Sequence, residues 1–188
     1  MEPNAIVEVG ERRHVGQLQS RKWVEVVMAG RLLEWKGITV ALQSLKIASD
    51  ADWRLSIYGD GPDRHRFQRE AREFGVAGRV SFHGVVPRGD LMSALSTADA
   101  LLFPSFHDSG PWVVAEAYSL GIPVLCFPQG GASVLAGGNA HIIDVSNPTQ
   151  SIADIIGGLS RMSRPLAVPV PWGTDRVVRL LSSLYGAS

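Results

Sequence analysis

Between Pro104 and Pro123 the chain reads PSFHDSGPWVVAEAYSLGIP, with two carboxylates, Asp108 and Glu116, eight residues apart around a Gly110-Pro111 turn. An apolar run, Leu101-Leu102-Phe103, precedes this stretch, and a helical pattern follows it. Proline suits the first helical position because its missing N–H would be unbonded there anyway. The spacing therefore predicts a helix that opens at Pro111, with Gly110 as an N-cap that offers no side-chain oxygen. The backbone N–H groups of Trp112 and Val113 are then left for an outside acceptor, and such a helix mouth attracts anions. Asp108 falls in the loop before this helix and Glu116 more than one turn inside it. The competing reading is a plain helix start beside a solvated aspartate.

A second group of residues lies upstream. Val24 to Gly30, VEVVMAG, reads as a buried strand, and Arg31-Leu32-Leu33-Glu34-Trp35-Lys36-Gly37 leads into a helical pattern. Arg and Lys at the carboxyl end of a parallel strand can hold phosphate, Arg as a planar fork and Lys as a point charge. The competing reading is two solvated bases at a helix start.

The elements that must position these residues alternate along the chain. Strands are expected at 24–29, 54–58, 79–82, 99–103, 123–127 and 141–143. Helices are expected at 37–49, 62–74, 88–97, 111–120, 131–136, 149–162 and 173–185. Near-continuous Val/Leu/Ile runs separated by helical patterns argue for a parallel sheet covered on both faces. The fold class is α/β: one three-layer domain with about six parallel strands. Ligands of such sheets bind at the carboxyl ends of the strands. Arg31, Gly59, His83 and Asp108 each follow a predicted strand, so they gather on one rim.

Composition agrees with a single domain. The chain has 188 residues, 45% of them apolar, which suits one α/β domain with a real core. Eighteen basic residues balance eighteen acidic ones, so there is no electrostatic footprint for nucleic acid or an anionic membrane. No apolar run approaches the roughly 18 residues that span a bilayer. The start, MEPNAIVEVGERRH, lacks the basic-then-apolar order of a signal peptide. Cys126 is the single cysteine; it excludes an internal disulfide, fits a reducing cytoplasm, and reads as a packing residue in the apolar PVLCF segment. Asp50-Ala51-Asp52 imitates a D-x-D metal motif, but it precedes a strand at the end opposite the site and reads as a surface turn. The five histidines show no metal-ligand spacing.

Together the two chemical stretches carry a resemblance. GRLLEWKG, Gly30 to Gly37, resembles the G-R-L-x-x-x-K-G motif of family-4 retaining glycosyltransferases. Asp108 to Glu116 resembles that family's E-x7-E signature and is followed by its EA-x3-G-x-PV as Glu116-Ala117, Gly121 and Pro123-Val124. Gly59-Asp60-Gly61-Pro62, Phe82-His83-Gly84 and Pro128-Gln129-Gly130-Gly131 fall where the family has its G-x-G-P, F-x-G and G-G segments. The likeness runs from about Trp23 to Tyr185 and covers only the carboxyl-terminal half of a two-domain GT-B enzyme. Two departures stand out. Asp108 replaces the usual first Glu, and Ser109-Gly110-Pro111-Trp112 replaces the commoner G-F-G-L type. The H-D-x-x-x-W-x-x-x-E variant is similar to some bacterial members that build surface polysaccharides.

The resemblance implies a Rossmann-like lobe that binds a nucleotide-diphospho-sugar, such as a UDP- or GDP-sugar, for retaining hexosyl transfer without a metal or other cofactor. It implies that Gly30, Arg31 and Lys36 meet the diphosphate together with backbone N–H groups around Ser109, Gly110, Pro111, Trp112 and Val113. It implies that Glu116 accepts from the ribose hydroxyls, that Asp108 holds hydroxyls of the transferred sugar, and that the loop after His83, near Val85 and Val86, meets the base. Arg31, Lys36, Asp108 and Glu116 carry the catalytic role in this reading. His107 either contacts the sugar or is polar surface, and His83 poses the same choice. Trp35 and Trp112 either border the sugar or pack the core.

The implied organisation is a linker or N-terminal extension over 1–22, a nucleotide-sugar-binding domain over 23–164, and a proline-rich connector with a crossover helix over 165–188. The partner is an amino-terminal acceptor-binding lobe, in the same chain or separate. The apolar stripe Val177, Leu180, Leu181 and Leu184 makes self-association an expectation. The location is cytoplasmic, with peripheral membrane attachment through the other lobe. The alternatives are a non-catalytic nucleotide-binding or protein-interaction module on the same fold, a sugar-nucleotide epimerase of like architecture, and a dinucleotide enzyme. The last lacks the G-x-G-x-x-G that close pyrophosphate approach requires.

Overall fold

The computed structural model describes residues 23–48, 53–108 and 111–161, without the side chains of Ser160 and Arg161. The D-x-D imitation, the last predicted helix and the expectations for residues 1–22, Ser109, Gly110 and 165–188 lie outside the described residues.

Six parallel strands form one sheet in the order β3-β2-β1-β4-β5-β6. They are β1 (Val24–Ala29), β2 (Trp53–Tyr58), β3 (Val80–Gly84), β4 (Ala100–Phe103), β5 (Val124–Cys126) and β6 (Ala140–Ile142). The helices are α1 (Ile38–Ile47), α2 (Arg64–Glu73), α3 (Arg88–Thr97), α4 (Trp112–Ser119), α5 (Gly131–Ala136) and α6 (Pro148–Arg161). The fold is the expected Rossmann-like α/β sandwich, and the predicted elements within the described residues differ from it mainly at their ends.

Successive side chains on a strand face opposite sides, so one buried strand serves two cores. Val26 packs with Ile38, Leu42 and Leu45 of α1, Phe67 of α2 and Ile152 and Ile156 of α6. The next residue, Val27, belongs to the other core with Leu95 of α3, Val114 and Ala117 of α4 and Ala132 of α5. Leu102 and Leu101 divide in the same way. This explains why the strands read as continuous apolar runs rather than alternating ones. No helix among the described residues is long and apolar enough to cross a membrane.

The strand order reverses direction between β1 and β4. In open parallel sheets that reversal parts the flanking loops and leaves a crevice at the carboxyl ends. The loops after β1 and β2, in contrast, stay zipped together. Gly30 N–H donates to Tyr58 O at 3.0 Å and Leu32 N–H to Asp60 O at 2.9 Å, while Gly59 N–H ties the β2 exit to β3 by donating to Gly84 O at 2.7 Å. A Cβ at Gly59 would lie 1.9 Å from Gly30 O, and one at Gly61 2.3 Å from Leu32 O. The glycines of Gly59-Asp60-Gly61-Pro62 are therefore spacers that admit a neighbouring backbone.

Gly59 also has a φ of +120°. We expect Gly59→Ala to lose about 1–3 kcal/mol from backbone strain alone, and more from forcing the two loops apart. Gly78, which has open space around its Cβ position, should tolerate alanine within about 0.5 kcal/mol. Equal urea midpoints for the two variants would contradict this account.

Cys126 is fully buried on β5, and burial pushes its thiol up to about 11. The native protein should resist iodoacetamide at pH 8 and react once denatured. An unfolded cysteine ionises near pH ~8.5. The stabilisation from keeping this thiol neutral is therefore complete below that pH and is lost as pH rises toward about 11. Denaturant midpoints measured from pH 8 upward should fall, less so in Cys126→Ala.

Candidate functional site

A shallow cleft opens at the reversal, and its wall includes Gly30, Arg31, Lys36, Tyr58, Phe103 and Pro104. Arg31 is exposed on the first turn after β1. Gly30 turns the chain there with a φ of +146°. Lys36 ends a 3₁₀ turn, Glu34–Lys36, closed by Gly37 in the left-handed region. That glycine is enforced from outside as well, since a Cβ on it would sit 2.3 Å from Pro104 O. Gly37 thus presses the Lys36 turn against the exit of β4 and sets the cleft's width.

The β4 exit is bound to the same turn. Phe106 N–H donates to Trp35 O at 3.0 Å. The Lys36 ammonium pairs with the Asp108 Oδ2 carboxylate oxygen, which also accepts from Ser105 Oγ at 3.0 Å. Lys36 further lies over the Phe103 ring, 5.6 Å from its centroid. Asp108 and Lys36 therefore hold each other at one side of the cleft.

On α4 the helix opens one residue later than predicted. Pro111 is the N-cap, with a φ of −76° and ψ of 94°, and Trp112 is the first helical residue. The expected helix start at Pro111 is corrected: Pro111 carries the extended backbone of a cap, and its carbonyl accepts from Val114 N–H at 2.9 Å. No side chain caps this end, and the N–H groups of Trp112 and Val113 keep the first two helical positions, which have no intrahelical acceptor. The Gly121 of the EA-x3-G-x-PV segment is punctuation. Gly121 N–H donates to Tyr118 O at 2.9 Å and Ile122 N–H to Ala117 O at 3.0 Å, the two bonds of a Schellman stop. The positive φ of Gly121, 66°, makes that stop feasible.

Glu116 is the single buried charged residue among the described residues, 8% exposed. It does not line the cleft. Its Oε1 accepts from Arg88 Nε at 2.9 Å across the α3–α4 contact. Sequence reasoning passed over Arg88. The signal available was a lone base in Val86-Pro87-Arg88-Gly89, where Pro87 caps α3 and puts Arg88 on its first turn.

His83 lies within β3 rather than after it, which corrects its placement on the rim loop. Its ring stacks on Tyr58, with centroids 4.4 Å apart and planes 8° apart, and Tyr58 lines the cleft. Burial, with the Glu25 carboxylate behind it, raises the Tyr58 phenol above its usual value, so this face of the cleft is a neutral ring. Val85 is 80% exposed in the turn after β3, and Val86 is half-buried. His107 is exposed beside Asp108. Trp35 and Trp112 are exposed, 47% and 63%, rather than packed in the core, while Val113 packs against the α4 core. The structure thus gathers Gly30, Arg31, Lys36 and Asp108, and sets Glu116 apart with Arg88. Among the described residues no group of three or more His, Cys, Asp or Glu is placed to hold a metal.

The family profile described as "Glycosyl transferases group 1" matches residues 12–161. A 2-deoxystreptamine N-acetyl-D-glucosaminyltransferase from Streptomyces fradiae is 26% identical over 92% of this chain and 47% of its own. A D-inositol 3-phosphate glycosyltransferase from Xylanimonas cellulosilytica is 33% identical over 71% of this chain and 33% of its own. Among solved structures, HepE from Anabaena in complex with UDP and glucose superposes with a TM-score of 0.66 at 22% identity, over 74% of this chain and 39% of that one. The chain spans less than half the length of the curated relatives it matches.

The Lys36–Asp108 pair is partly exposed, with side chains 19% and 24% accessible, and such a pair is worth about 0–1 kcal/mol. Asp108→Asn frees the ammonium without removing it. We expect that variant to bind inorganic pyrophosphate up to about fivefold more tightly than wild type at low salt, and Lys36→Met to bind it more weakly. Calorimetric titration checks both, and equal affinities in all three proteins would separate the pair from anion binding.

Proposed function

The chain belongs to the glycosyl transferases group 1 family, and on that premise we propose that it is the donor-binding lobe of a GT-B hexosyltransferase. The donor is a nucleotide-diphospho-sugar and the acceptor a glycan or lipid-linked sugar in polysaccharide or glycoconjugate synthesis. The observation that carries this reading is the placement of Arg31 and Lys36 on one cleft at the strand-order reversal. That is where an open parallel sheet offers a diphosphate site.

In this reading the bond between the anomeric carbon and the β-phosphate oxygen breaks, and negative charge collects on the departing phosphate. Arg31 and Lys36 stabilise that charge, with the free N–H groups at the mouth of α4; fixed donors of this kind contribute about 2.7–4 kcal/mol each in measured enzymes. The acceptor hydroxyl oxygen bonds the same carbon on the same face, with retention, and its proton passes to the departing phosphate oxygen. This step needs no metal. Binding of the diphosphate draws Lys36 away from Asp108 and leaves that carboxylate to accept from sugar hydroxyls. Asp108 is one methylene shorter than the family's Glu, so either its loop sits closer to the sugar or the donor differs; the loop itself is tied to the Trp35–Lys36 turn. Glu116 accepts from the ribose diol, and the turn at Val85 and Val86 meets the base.

The exposed aromatic side chains Trp35, Phe106 and Trp112 support a second lobe that closes over the cleft and brings the acceptor. HepE, which holds UDP and glucose, makes UDP the first ligand to try and GDP the second. In isothermal titration the tighter of the two should lose about tenfold or more in affinity with Arg31→Ala and with Lys36→Ala, as expected for one charge-assisted hydrogen bond each. Unchanged affinity in both variants would refute the site.

A further inference from the structure

We propose that Arg88 is the positioning residue that makes Glu116 selective for a ribose diol, so that it sets the discrimination between ribo- and deoxyribonucleotide donors. This inference rests on the reading of Glu116 as the ribose-facing carboxylate.

Three observations carry it. Glu116 is the one buried charged residue among the described residues, and its side chain is 10% exposed. A buried carboxylate needs a fixed partner, or it shifts toward the neutral form. Arg88 supplies that partner through a single contact, Nε to Oε1 at 2.9 Å. Among the described residues nothing donates to the other oxygen, Oε2, and nothing accepts from the Arg88 terminal nitrogens. The guanidinium is exposed enough for its terminal nitrogens to face solvent. One carboxylate oxygen is pinned by Arg88, and in this proposal the other receives the ribose hydroxyls.

The geometry suits a diol. A vicinal diol presents two O–H donors, and a carboxylate accepts both only if its plane is held in the right rotation. Glutamate has a broad terminal torsion, and left alone it samples many orientations. Arg88 removes that freedom from across the helix contact, as groups outside a ligand shell commonly orient those inside it. The guanidinium side chain is 55% exposed, so it is anchored by Glu116 rather than by packing. Pro87 places Arg88 on the first turn of α3, directly after the turn that carries Val85 and Val86.

The test uses the full chain. UDP and GDP are titrated against wild type, and the tighter of the two is compared with its 2′-deoxy and 3′-deoxy counterparts. Wild type should prefer the ribonucleotide by about tenfold or more, the loss expected when one hydrogen bond to a charged group goes unmade. Arg88→Ala should shrink that preference to about twofold while leaving the deoxynucleotide affinity close to wild type. Arg88→Lys should restore part of the preference, because it returns the charge without the planar fork. In a Glu116→Ala background, Arg88→Ala should change nothing further, since a cycle isolates the pair.

A fall in affinity for ribo- and deoxynucleotide by the same factor would overturn the proposal and leave Arg88 a structural ion-pair partner. A wild type that binds nucleotide without preferring ribose would overturn the role of Glu116 itself. A wild type that binds neither UDP nor GDP would overturn the nucleotide reading on which both stand. Should Arg88→Ala fail to fold, Arg88→Gln, which keeps an N–H donor without the charge, takes its place with the same expected loss of ribose preference.

Discussion

Past the last rung of the sheet, the backbone of Gly30 to Leu32 stays bonded to Gly59 and its neighbours, and that approach leaves no room for a side chain at position 59 or 61. The cleft depends on this constraint. Parallel strands diverge into their loops wherever nothing holds the loops together. Here the loops on one side of β1 are zipped, and those on the side facing β4 are parted by the reversal of strand order. The result is a wall of main chain on one side and an opening on the other. Arg31 stands on that wall because the chain from Gly30 to Leu32 cannot move outward without breaking its bonds to β2's loop.

Charge at the site is arranged in opposed pairs. Lys36 faces Asp108, and Arg88 faces Glu116. Each acid lies on or next to α4 and each base comes from another part of the sheet's carboxyl rim. Both pairs therefore tie the β4–α4 segment to its neighbours as well as balancing charge. The two differ in burial. The Lys36–Asp108 pair is open to exchange with a competing anion, while Glu116 is nearly enclosed and has an oriented partner. In the proposed reading a phosphate-bearing ligand competes with the first pair, and a neutral hydroxyl ligand completes the second.

Much of this was legible in the residues. The continuous apolar runs of β1, β4 and β5 announced strands buried on both faces, and the spacing from Arg31 to Lys36 placed both bases on one cleft. Strand order was not legible, because contacts between β1 and β4 join residues far apart in sequence. The helix start at Pro111 was misread by one residue: proline fits both the cap and the first turn, and only its ψ distinguishes them. His83 was taken for a rim residue because its strand runs two residues beyond the apolar pattern, held by stacking on Tyr58. Arg88 carried no motif, since its meaning arises only when α3 and α4 pack side by side. The two glycines around Asp60 were noticed as a motif, but their reason, a neighbouring carbonyl, belongs to tertiary structure.

The sheet tapers. β1 and β2 are matched over six residue pairs, whereas β4 meets β1 over two and β5 over three. Fewer rungs lower the free energy of local opening. The floor under Arg31 rests on the longest register of the sheet, and the flank bearing Asp108 rests on shorter ones. A scaffold graded in this way leaves the side with the shorter register freer to be remodelled by substitution while the longer register stays fixed.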